Sequence, residues 1–331
     1  MLAFSALVSV ACKDARKAAD KTTPEKVNSL IVVSEHSLDE PMSYTRALIL
    51  EKLIRTRPGM NPIFLEAGGK VSIQAQQLKA ALTGKPAALI VFPEEVEPLT
   101  EILSGAVLSG TRVIVIGREL APELCTTSIF VDEKKIGSVA GNFVVEALKK
   151  KCAEAGAAQT TGRVVQLTGL EKYRSTRERS AAFMEALRAE PGIVLVHDAP
   201  THWNAVTTKA RLEEARRLQK QFDVIYAHSD FIAQAAHQAL SAPGASERES
   251  ILVLGVDGQL GKGGGVQMIT RAEIDATVFN PPLVDLAWKI IQKMLDDPSY
   301  KPKARYEIDP FIITSEKAFE LANKGVPTPQ P

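Results

Sequence analysis

The sequence predicts an α/β protein of two doubly wound lobes, each built on a parallel β-sheet. Three observations lead to this fold class. Short apolar runs rich in β-branched residues recur along the chain, segments with helical spacing separate them, and the pattern starts again after Asp132. Continuous apolar runs are typical of parallel strands that helices cover on both faces. A chain of 331 residues is long enough for two such cores.

The first lobe begins at Ser29. Its segments between strands have helical spacing, as in the apolar positions from Ala47 to Ile54. Its five runs of strand length are Leu30–Val33, Ile63–Leu65, Leu89–Phe92, Val113–Ile116 and Ile129–Val131.

The second lobe opens with an amphipathic helix that carries Ile136, Val139, Phe143 and Val144. Five further strands are predicted at Val164–Leu167, Val194–Val196, Val224–Ala227, Leu252–Val256 and Thr277–Phe279. A helix starting near Leu283 and a final apolar run, Phe311–Ile313, close the pattern. We therefore place an N-terminal lobe at residues 28–132 plus 281–309 and a C-terminal lobe at 133–280 plus 310–331.

A basic helix start follows the first strand of the second lobe. Residues 170–183 read as a loop and an amphipathic helix with Ser175 or Thr176 as the N-cap. Cations at this end oppose the helix dipole by up to about 1 kcal/mol each. Either this end receives a polar or anionic ligand, or it is a basic turn that faces water. The cations are Lys172, Arg174, Arg177 and Arg179.

The three cysteines have different surroundings. Residues 1–11 are apolar and small and precede Cys12, which resembles a bacterial lipoprotein signal with Cys12 as the lipidated residue. Residues 1–27 are then signal and linker, although no basic residue precedes the apolar run and the alternative is a frayed N-terminus. The run is too short to span a bilayer. Cys125 and Cys152 could form a disulfide in an exported protein or remain two thiols.

Several function classes are disfavoured by charge and spacing. A net charge of +1 argues against a nucleic-acid binder. His228, Ser229 and Asp230 are chain neighbours and cannot form a catalytic triad. Gly261–Gly265 lacks the spacing of a phosphate loop, and Gly-x-Gly-x-x-Gly is missing after the first strand. With no convincing metal spacing either, we predict no cofactor, metal or catalytic residue.

A ligand crevice is expected where the carboxyl ends of both sheets meet. Each residue after a strand could by itself be a turn or cap residue, so the prediction depends on the whole set facing one crevice. The first lobe contributes Glu35, His36, Asp39, Glu40, Tyr44, Pro93, Glu94, Arg118 and Asp132. The second lobe contributes Lys172, Arg174, Arg177, His202, Trp203, His228, Ser229, Asp230, Asp257 and Asn280.

A family resemblance covers residues 27–324. The chain resembles the periplasmic sugar-binding proteins related to ribose-binding protein, whose type I periplasmic binding fold is shared with the ligand domains of LacI-type repressors. No helix-turn-helix pattern precedes Val27, which disfavours a repressor. The marks of the resemblance are Ser34 with Asp39–Pro41, Val115–Arg118, Val131–Asp132, Thr176–Ser180, Ala227–Asp230, Leu254–Gly258 and Ala276–Asn280.

The resemblance implies a site and a motion. It implies that Asp257 accepts hydrogen bonds from ligand hydroxyls, that Arg177 donates them and that Trp203 offers an apolar face. Further contacts are implied at Arg118, Ser229 and Asn280. Three strands would cross between the lobes near Asp132, Asn280 and Pro310, and closure about this hinge would trap the ligand.

The departures from the family pattern suggest an unusual ligand. Gly117 stands where relatives often have Asp, and Met42 and Ser43 stand where they have two aromatic residues. Cations near helix N-termini favour an anionic polyol, such as a phosphorylated sugar or cyclitol. Glu35, Glu40 and Asp257 count against negative charge on the ligand. The cations concerned are Lys134, Lys135, Lys172 and Arg174.

We thus expect a monomeric, non-enzymatic solute receptor in the periplasm, attached to the membrane only by a lipid. It would deliver a sugar or cyclitol, phosphorylated or not, to an ABC-type permease. A sensor subunit that binds a neutral monosaccharide for a membrane histidine kinase is the alternative, and an enzyme with Glu35 and Asp257 as acid and base is a third hypothesis. The predicted ligand-binding residues are Glu35, His36, Glu40, Tyr44, Arg118, Lys172, Arg174, Arg177, Trp203, Ser229, Asp257 and Asn280.

Overall fold

A computed structural model describes residues 29–219, 221–241, 250–325 and 330–331. The predicted lipidation site, Cys12, lies outside these residues. The strands are β1 (Ser29–Glu35), β2 (Met60–Glu66), β3 (Ala88–Phe92), β4 (Arg112–Ile116), β5 (Thr127–Phe130), β6 (Gly162–Thr168), β7 (Ile193–Pro200), β8 (Val224–Ala227), β9 (Leu252–Asp257), β10 (Ala276–Phe279), β11 (Arg305–Glu307) and β12 (Ile312–Ile313). The helices are α1 (Pro41–Arg55), α2 (Val71–Leu82), α3 (Thr100–Leu108), α4 (Glu133–Glu154), α5 (Arg174–Leu187), α6 (Ala205–Gln219), α7 (Asp230–Leu240), α8 (Gly265–Thr270), α9 (Val284–Asp296) and α10 (Ser315–Lys324).

The first lobe is a six-stranded parallel sheet in the order β11-β5-β4-β3-β1-β2. Its strands are buried on both faces, which is why they read as continuous apolar runs. Helices α1 and α9 cover one face, and α2 and α3 cover the other. The strand order reverses between β1 and β3, so a ligand site is expected at the carboxyl ends of these two strands.

The second lobe repeats this plan. Its sheet has the order β12-β10-β9-β8-β6-β7, and only the β12–β10 pair is antiparallel. Helices α4 and α5 pack on one face, while α6, α7, α8 and α10 pack on the other. Here the order reverses between β6 and β8. The predicted fold class of two doubly wound parallel-sheet lobes is confirmed.

Within the described residues, the chain crosses between the two sheets three times. It leaves the first sheet after β5, returns to α9 after β10, and crosses again between β11 and β12. The crossing segments lie beside one another, since Ile308 N–H donates to Phe130 O at 2.9 Å and Phe279 N–H donates to Phe311 O at 2.8 Å. They contain Asp132, as expected from the resemblance, together with Asn280 and Pro310. The residue boundaries proposed for the lobes stay a prediction.

Some local predictions were wrong. Helix α5 begins at Arg174 with Tyr173 as the N-cap residue, not Ser175 or Thr176, because Thr176 is already buried inside the first turn. Strand β11 was missed because Tyr306 is the only apolar residue in it. Cys125 and Cys152 are both free, so the disulfide alternative is not realised.

In the part of the chain that the structure describes, no helix combines the length and apolar character that a bilayer span requires.

Two glycines on α4 allow it to lie unusually close to α5. A Cβ at Gly137 would sit 2.2 Å from the backbone oxygen of Arg179, and one at Gly141 would sit 2.5 Å from Cβ of Ala186. Such distances cannot be relieved by a side-chain rotation when a backbone oxygen is the neighbour. The close approach brings Glu133, at the start of α4, beside Arg179 of α5.

We expect Gly137→Ala to destabilise the protein by about 1–3 kcal/mol, because the two helices must separate to admit the methyl group. Gly105→Ala in α3 is the matched control. A Cβ there meets no atom within 4 Å, so the usual helix preference for alanine should raise stability by about 0.5–1 kcal/mol. Urea unfolding followed by circular dichroism measures both. If both substitutions changed the free energy of unfolding equally, the close contact between α4 and α5 would be contradicted.

Candidate functional site

A cavity lies between the lobes, at the carboxyl ends of β1, β3, β6, β8, β9 and β10. This is the position at which the topology of both sheets places a ligand site. Seven of the predicted ligand-binding residues line it, namely His36, Glu40, Arg174, Trp203, Ser229, Asp257 and Asn280.

Three predicted residues of the first lobe do not line this cavity. Glu35 turns into the lobe and pairs with Arg46 through both oxygens, at 3.0 Å from Nε and 2.6 Å from Nη2. Tyr44 is 56% exposed on the outer face of α1. Arg118 lines an adjoining depression and donates to the backbone oxygen of Glu94. Glu35 therefore does not face Asp257 across the cavity, which disfavours the acid–base enzyme hypothesis.

The remaining two predicted ligand-binding residues, Lys172 and Arg177, lie at the basic start of α5. Arg177 folds back and donates to the backbone oxygens of Glu171 and Lys172. The ammonium group of Lys172 lies 5.0 Å from the centre of the Tyr173 ring. Neither side chain is among the residues that line the cavity, although the Lys172 ammonium reaches Gly69 of the first lobe and its charge helps to lower the pKa of the cavity residue His36.

Arg174, the first residue of α5, is held by the protein's own carboxylates. Glu94 accepts a hydrogen bond from the backbone N–H of Arg174, which is one of the free amides of the first helical turn. The Arg174 guanidinium pairs with Glu178 and donates to Gly117 O at 3.1 Å. Burial raises the pKa of Glu94, and its hydrogen bond to Arg174 opposes this rise. The Glu94 carboxylate thus occupies the helix N-terminus at which we expected a negatively charged group of the ligand.

A buried ion pair forms the floor of the cavity in the second lobe. Arg179 donates to Glu133 at 3.0 Å and 2.6 Å and to the backbone oxygen of His228 at 2.5 Å. One turn later, Phe183 stacks on Tyr226 of β8 with ring centres 4.2 Å apart. Arg179 is 5% exposed. This contact set ties α4, α5 and the end of β8 together.

Sequence reasoning missed part of this site. Glu94 and His228 were in the broader strand-end set, and Arg179 was in the basic group, but none was chosen as a ligand-binding residue. Arg46 and Glu133 gave no signal, because each stands among the polar residues of an amphipathic helix.

Of the four carboxyl groups that line the cavity, those of Glu40 and Asp257 have no ion-pair partner among the described residues. Arg46 pairs with Glu35 and Arg179 with Glu133, and burial raises the pKa of Glu40 to about 7. Asp257 lies beside Asp230, and burial together with the Asp230 charge raises the pKa of Asp257 well above its usual range.

Asp230 itself is buried at the start of α7. It accepts from Gly258 N–H at 2.8 Å and from Thr277 Oγ1 at 2.6 Å. Burial raises its pKa to about 7 despite these hydrogen bonds. The cavity therefore adjoins a cluster of desolvated carboxyl groups.

Buried nitrogens also line the cavity without a hydrogen-bond partner among the described residues. They are Nδ1 of His36, Nε of Arg174, Nε1 of Trp203 and both ring nitrogens of His228. Burial lowers the pKa of His228 well below its usual range, so its neutral ring offers one donor and one acceptor. Buried polar atoms are nearly always satisfied, which marks this cavity as a place for a polar ligand or water.

Trp203 reaches the cavity because Gly169 leaves room for it. A Cβ at Gly169 would lie 2.0 Å from the indole ring. Trp203 itself adopts a positive φ of 55°, which is uncommon for a large side chain. With Phe92 and Ile116 on the opposite lobe, the indole gives the cavity apolar walls around its polar groups.

No group of His, Cys, Asp and Glu within the described ranges is arranged to hold a metal ion. The arrangement is suited to hydrogen bonding and to apolar contact with a small polar molecule.

The unliganded protein should become less stable as the pH rises from about 4.5 to 7. Over this range Glu40 and Asp230 keep their protons in the folded state and lose them in the unfolded chain, because their folded pKa values are raised to about 7. The folded state then binds more protons, so the free energy of unfolding falls with rising pH. Thermal unfolding across this range tests the slope. Glu40→Gln should flatten it, and an unchanged slope would contradict the assignment to Glu40.

The whole chain has similar proteins in sequence and structure. A family model described as a periplasmic binding protein domain matches residues 54–296. The ribose import binding protein RbsB of Bacillus subtilis (strain 168) is 23% identical over 320 residues, which are 96% of this chain and 98% of RbsB.

Two solved structures show the same architecture. The myo-inositol binding protein of Caulobacter, bound to myo-inositol, has a TM-score of 0.72 at 21% identity and covers 92% of this chain and 99% of its own. The fructose binding periplasmic domain of a hybrid two component system has a TM-score of 0.72 at 24% identity, over 89% and 94% of the two chains. At these identities the structural likeness concerns the fold alone.

Proposed function

Because the chain belongs to the periplasmic binding protein domain family, whose members bind solutes, we propose that it captures a small polyhydroxylated ligand in the interlobe cavity. The ligand class is a sugar or a cyclitol. Capture proceeds by closure of the lobes about the three crossing segments, which trap the ligand between them.

The observation that carries this proposal is a set of polar groups without protein partners in a cavity that also has an aromatic wall. Glu40 and Asp257 supply acceptors, and Trp203 Nε1 and His228 supply donors. A polyol presents many hydroxyls that both donate and accept, so it can satisfy these groups together. The indole face of Trp203 suits the C–H face of a ring.

The balance of charge favours a neutral ligand over a phosphorylated one. Glu94 already occupies the first amides of α5, and the cavity arginines are paired with Glu35, Glu133 and Glu178. A phosphate would need to displace one of these carboxylates or approach Glu40 and Asp257. The first alternative leaves a displaced carboxylate without its partner, and the second places an anion beside carboxyl groups whose ionisation it would further disfavour.

For its cellular setting, we propose a periplasmic protein tethered by lipid at Cys12, acting as a monomer that delivers its ligand to an ABC-type importer. The importer as partner is supported by RbsB, which is named an import binding protein and is matched over 98% of its length. A sensor subunit for a membrane histidine kinase is the second candidate, and the similarity to a periplasmic domain of a hybrid two component system favours it.

A thermal-shift screen tests the ligand class. The purified protein is heated with D-ribose, D-fructose, D-glucose and myo-inositol, and with a phosphate ester of each. A compound that binds only the folded state adds about 2.7 kcal/mol at a hundredfold its Kd. We expect at least one neutral compound to raise Tm and its phosphate ester to have a smaller effect. Larger shifts with the esters would overturn the choice of a neutral ligand, and no shift from any compound would count against a polyol.

A further inference from the structure

A second cavity of about 230 Å³ adjoins the first one and shares Asp257 with it. Pro41, Met42 and Asp257 line both cavities. The outer wall of the second cavity is the glycine-rich segment 258–264 of the second lobe, and its inner wall is the first turn of α1. The glycine spacing of this segment does not match that of a phosphate loop. The proposed solute binding in the first cavity also gives the segment no role.

The second cavity has the surface of a sugar-ring subsite. Phe231 and Leu260 line it and are 38% and 41% exposed, so two large apolar side chains form an open platform there. Thr45, Gln259 and Lys262 surround the platform with hydroxyl, amide and ammonium groups. Apolar walls with a few polar groups at fixed places are typical of small-ligand pockets.

Close backbone contacts hold the glycine-rich segment in shape. A Cβ at Gly264 would lie 2.2 Å from Gln259 O, and one at Gly265 would lie 2.0 Å from Oδ2 of Asp230. The backbone N–H of Val266 donates to Gln259 O at 3.2 Å. The platform is therefore anchored to Asp230, the same residue that neighbours Asp257.

A flexible side chain lies at the boundary between the two cavities. Met42 of α1 lines both, and its Sδ accepts a hydrogen bond from Gln259 Nε2 of the opposite lobe at 3.1 Å. Methionine is unbranched and changes rotamer easily. Its thioether can move aside while the backbone stays in place, which would join the two spaces beside Asp257.

We propose that the second cavity binds a second ring, so that the ligand class is a disaccharide or a glycosylated cyclitol. The first ring occupies the cavity beside Trp203, and the second ring lies on Phe231 and Leu260. This inference rests on the proposed function, because it extends the same ligand beyond the main cavity.

The test compares matched pairs of one-ring and two-ring compounds by isothermal titration calorimetry. The probes are D-fructose with sucrose, D-glucose with maltose and cellobiose, and myo-inositol with its galactoside, galactinol. We expect at least one two-ring compound to bind about tenfold more tightly than its one-ring partner, a difference of about 1.4 kcal/mol that lies within the range of such aromatic contacts.

Variants then locate the gain. Phe231→Ala with Leu260→Ala should remove the advantage of the two-ring compound and leave one-ring binding unchanged within about twofold. Phe319→Ala on α10, at a side chain that is 57% exposed, is the matched control and should change neither. If the double variant does not fold, each single substitution carries the same expectation.

The outcomes separate the two proposals. One-ring binding with no gain for any two-ring compound, or an equal loss of both in the double variant, overturns the second subsite and leaves the proposed function standing. No binding of any compound overturns both.

Discussion

Replacing Arg179 by methionine should lower the free energy of unfolding by about 3–5 kcal/mol, because it leaves the buried Glu133 carboxylate without its cation. Arg179 is 5% exposed, and the Glu133 side chain is 14% exposed. The substitution also removes the donor to the backbone oxygen of His228. Urea unfolding monitored by circular dichroism measures the loss.

Arg188→Met is the matched control, since Arg188 directly follows the last residue of α5. Its pair with Glu185 is 72% and 71% exposed, so the loss should stay below about 1 kcal/mol. Adding Glu133→Gln to Arg179→Met should recover part of the stability, since no unpaired charge is then buried. Equal effects of the two single substitutions would show that the Arg179 pair is not desolvated in solution.

Replacing Asp257 by asparagine should weaken ligand binding about a hundredfold and yet raise the Tm of the unliganded protein. The loss follows because ligand hydroxyls that donate to Asp257 favour its ionised form, which accepts at both oxygens, whereas asparagine offers one acceptor and one donor. Each hydrogen bond to a charged group contributes about 1.5–3 kcal/mol, and about 1.4 kcal/mol is a tenfold change in Kd. The gain in Tm follows from removal of a carboxyl group whose pKa is raised by burial and by Asp230. Opposite effects on stability and on binding are typical of a functional residue.

Calorimetry with the best compound of the thermal-shift screen measures the affinity. Thermal unfolding without ligand at pH 7.5 measures the Tm. Asp296→Asn on α9 is the control. Its side chain is 65% exposed and pairs with Arg57 at the surface, so neither affinity nor Tm should change appreciably. If Asp257→Asn lowers both affinity and Tm, Asp257 is a structural residue and not a ligand acceptor.

The elements of this fold could be predicted from local pattern wherever both faces of a strand are buried. Leu89–Phe92 reads as a strand because every residue of β3 is buried. Strand β11 could not be predicted, because Arg305–Glu307 is a strand only through its pairing with β5, more than 170 residues away. Edge pairing of this kind depends on a distant backbone and leaves little trace in the side chains.

The candidate site was partly predictable for the same reason. Residues at strand ends, such as His36, Asp257 and Asn280, face the cavity because parallel strands end at one edge of a sheet. The direction of a helical side chain was not predictable from its position. Arg174 lines the cavity, whereas Arg177, one turn later, returns to its own loop.

The sequence by itself determined two parallel-sheet lobes, a crevice between them and the residue types available at its edge, because these depend on the periodicity of neighbouring residues. The tertiary structure alone decided which charges remain free for a ligand. Glu94 meets the amide of Arg174, and Glu133 meets Arg179, across 80 and 46 residues of chain. Coulomb attraction acts through space and not along the chain, so only the folded arrangement of α4, α5 and the β3 end could show that Arg174 and Arg179 meet the protein's own carboxylates.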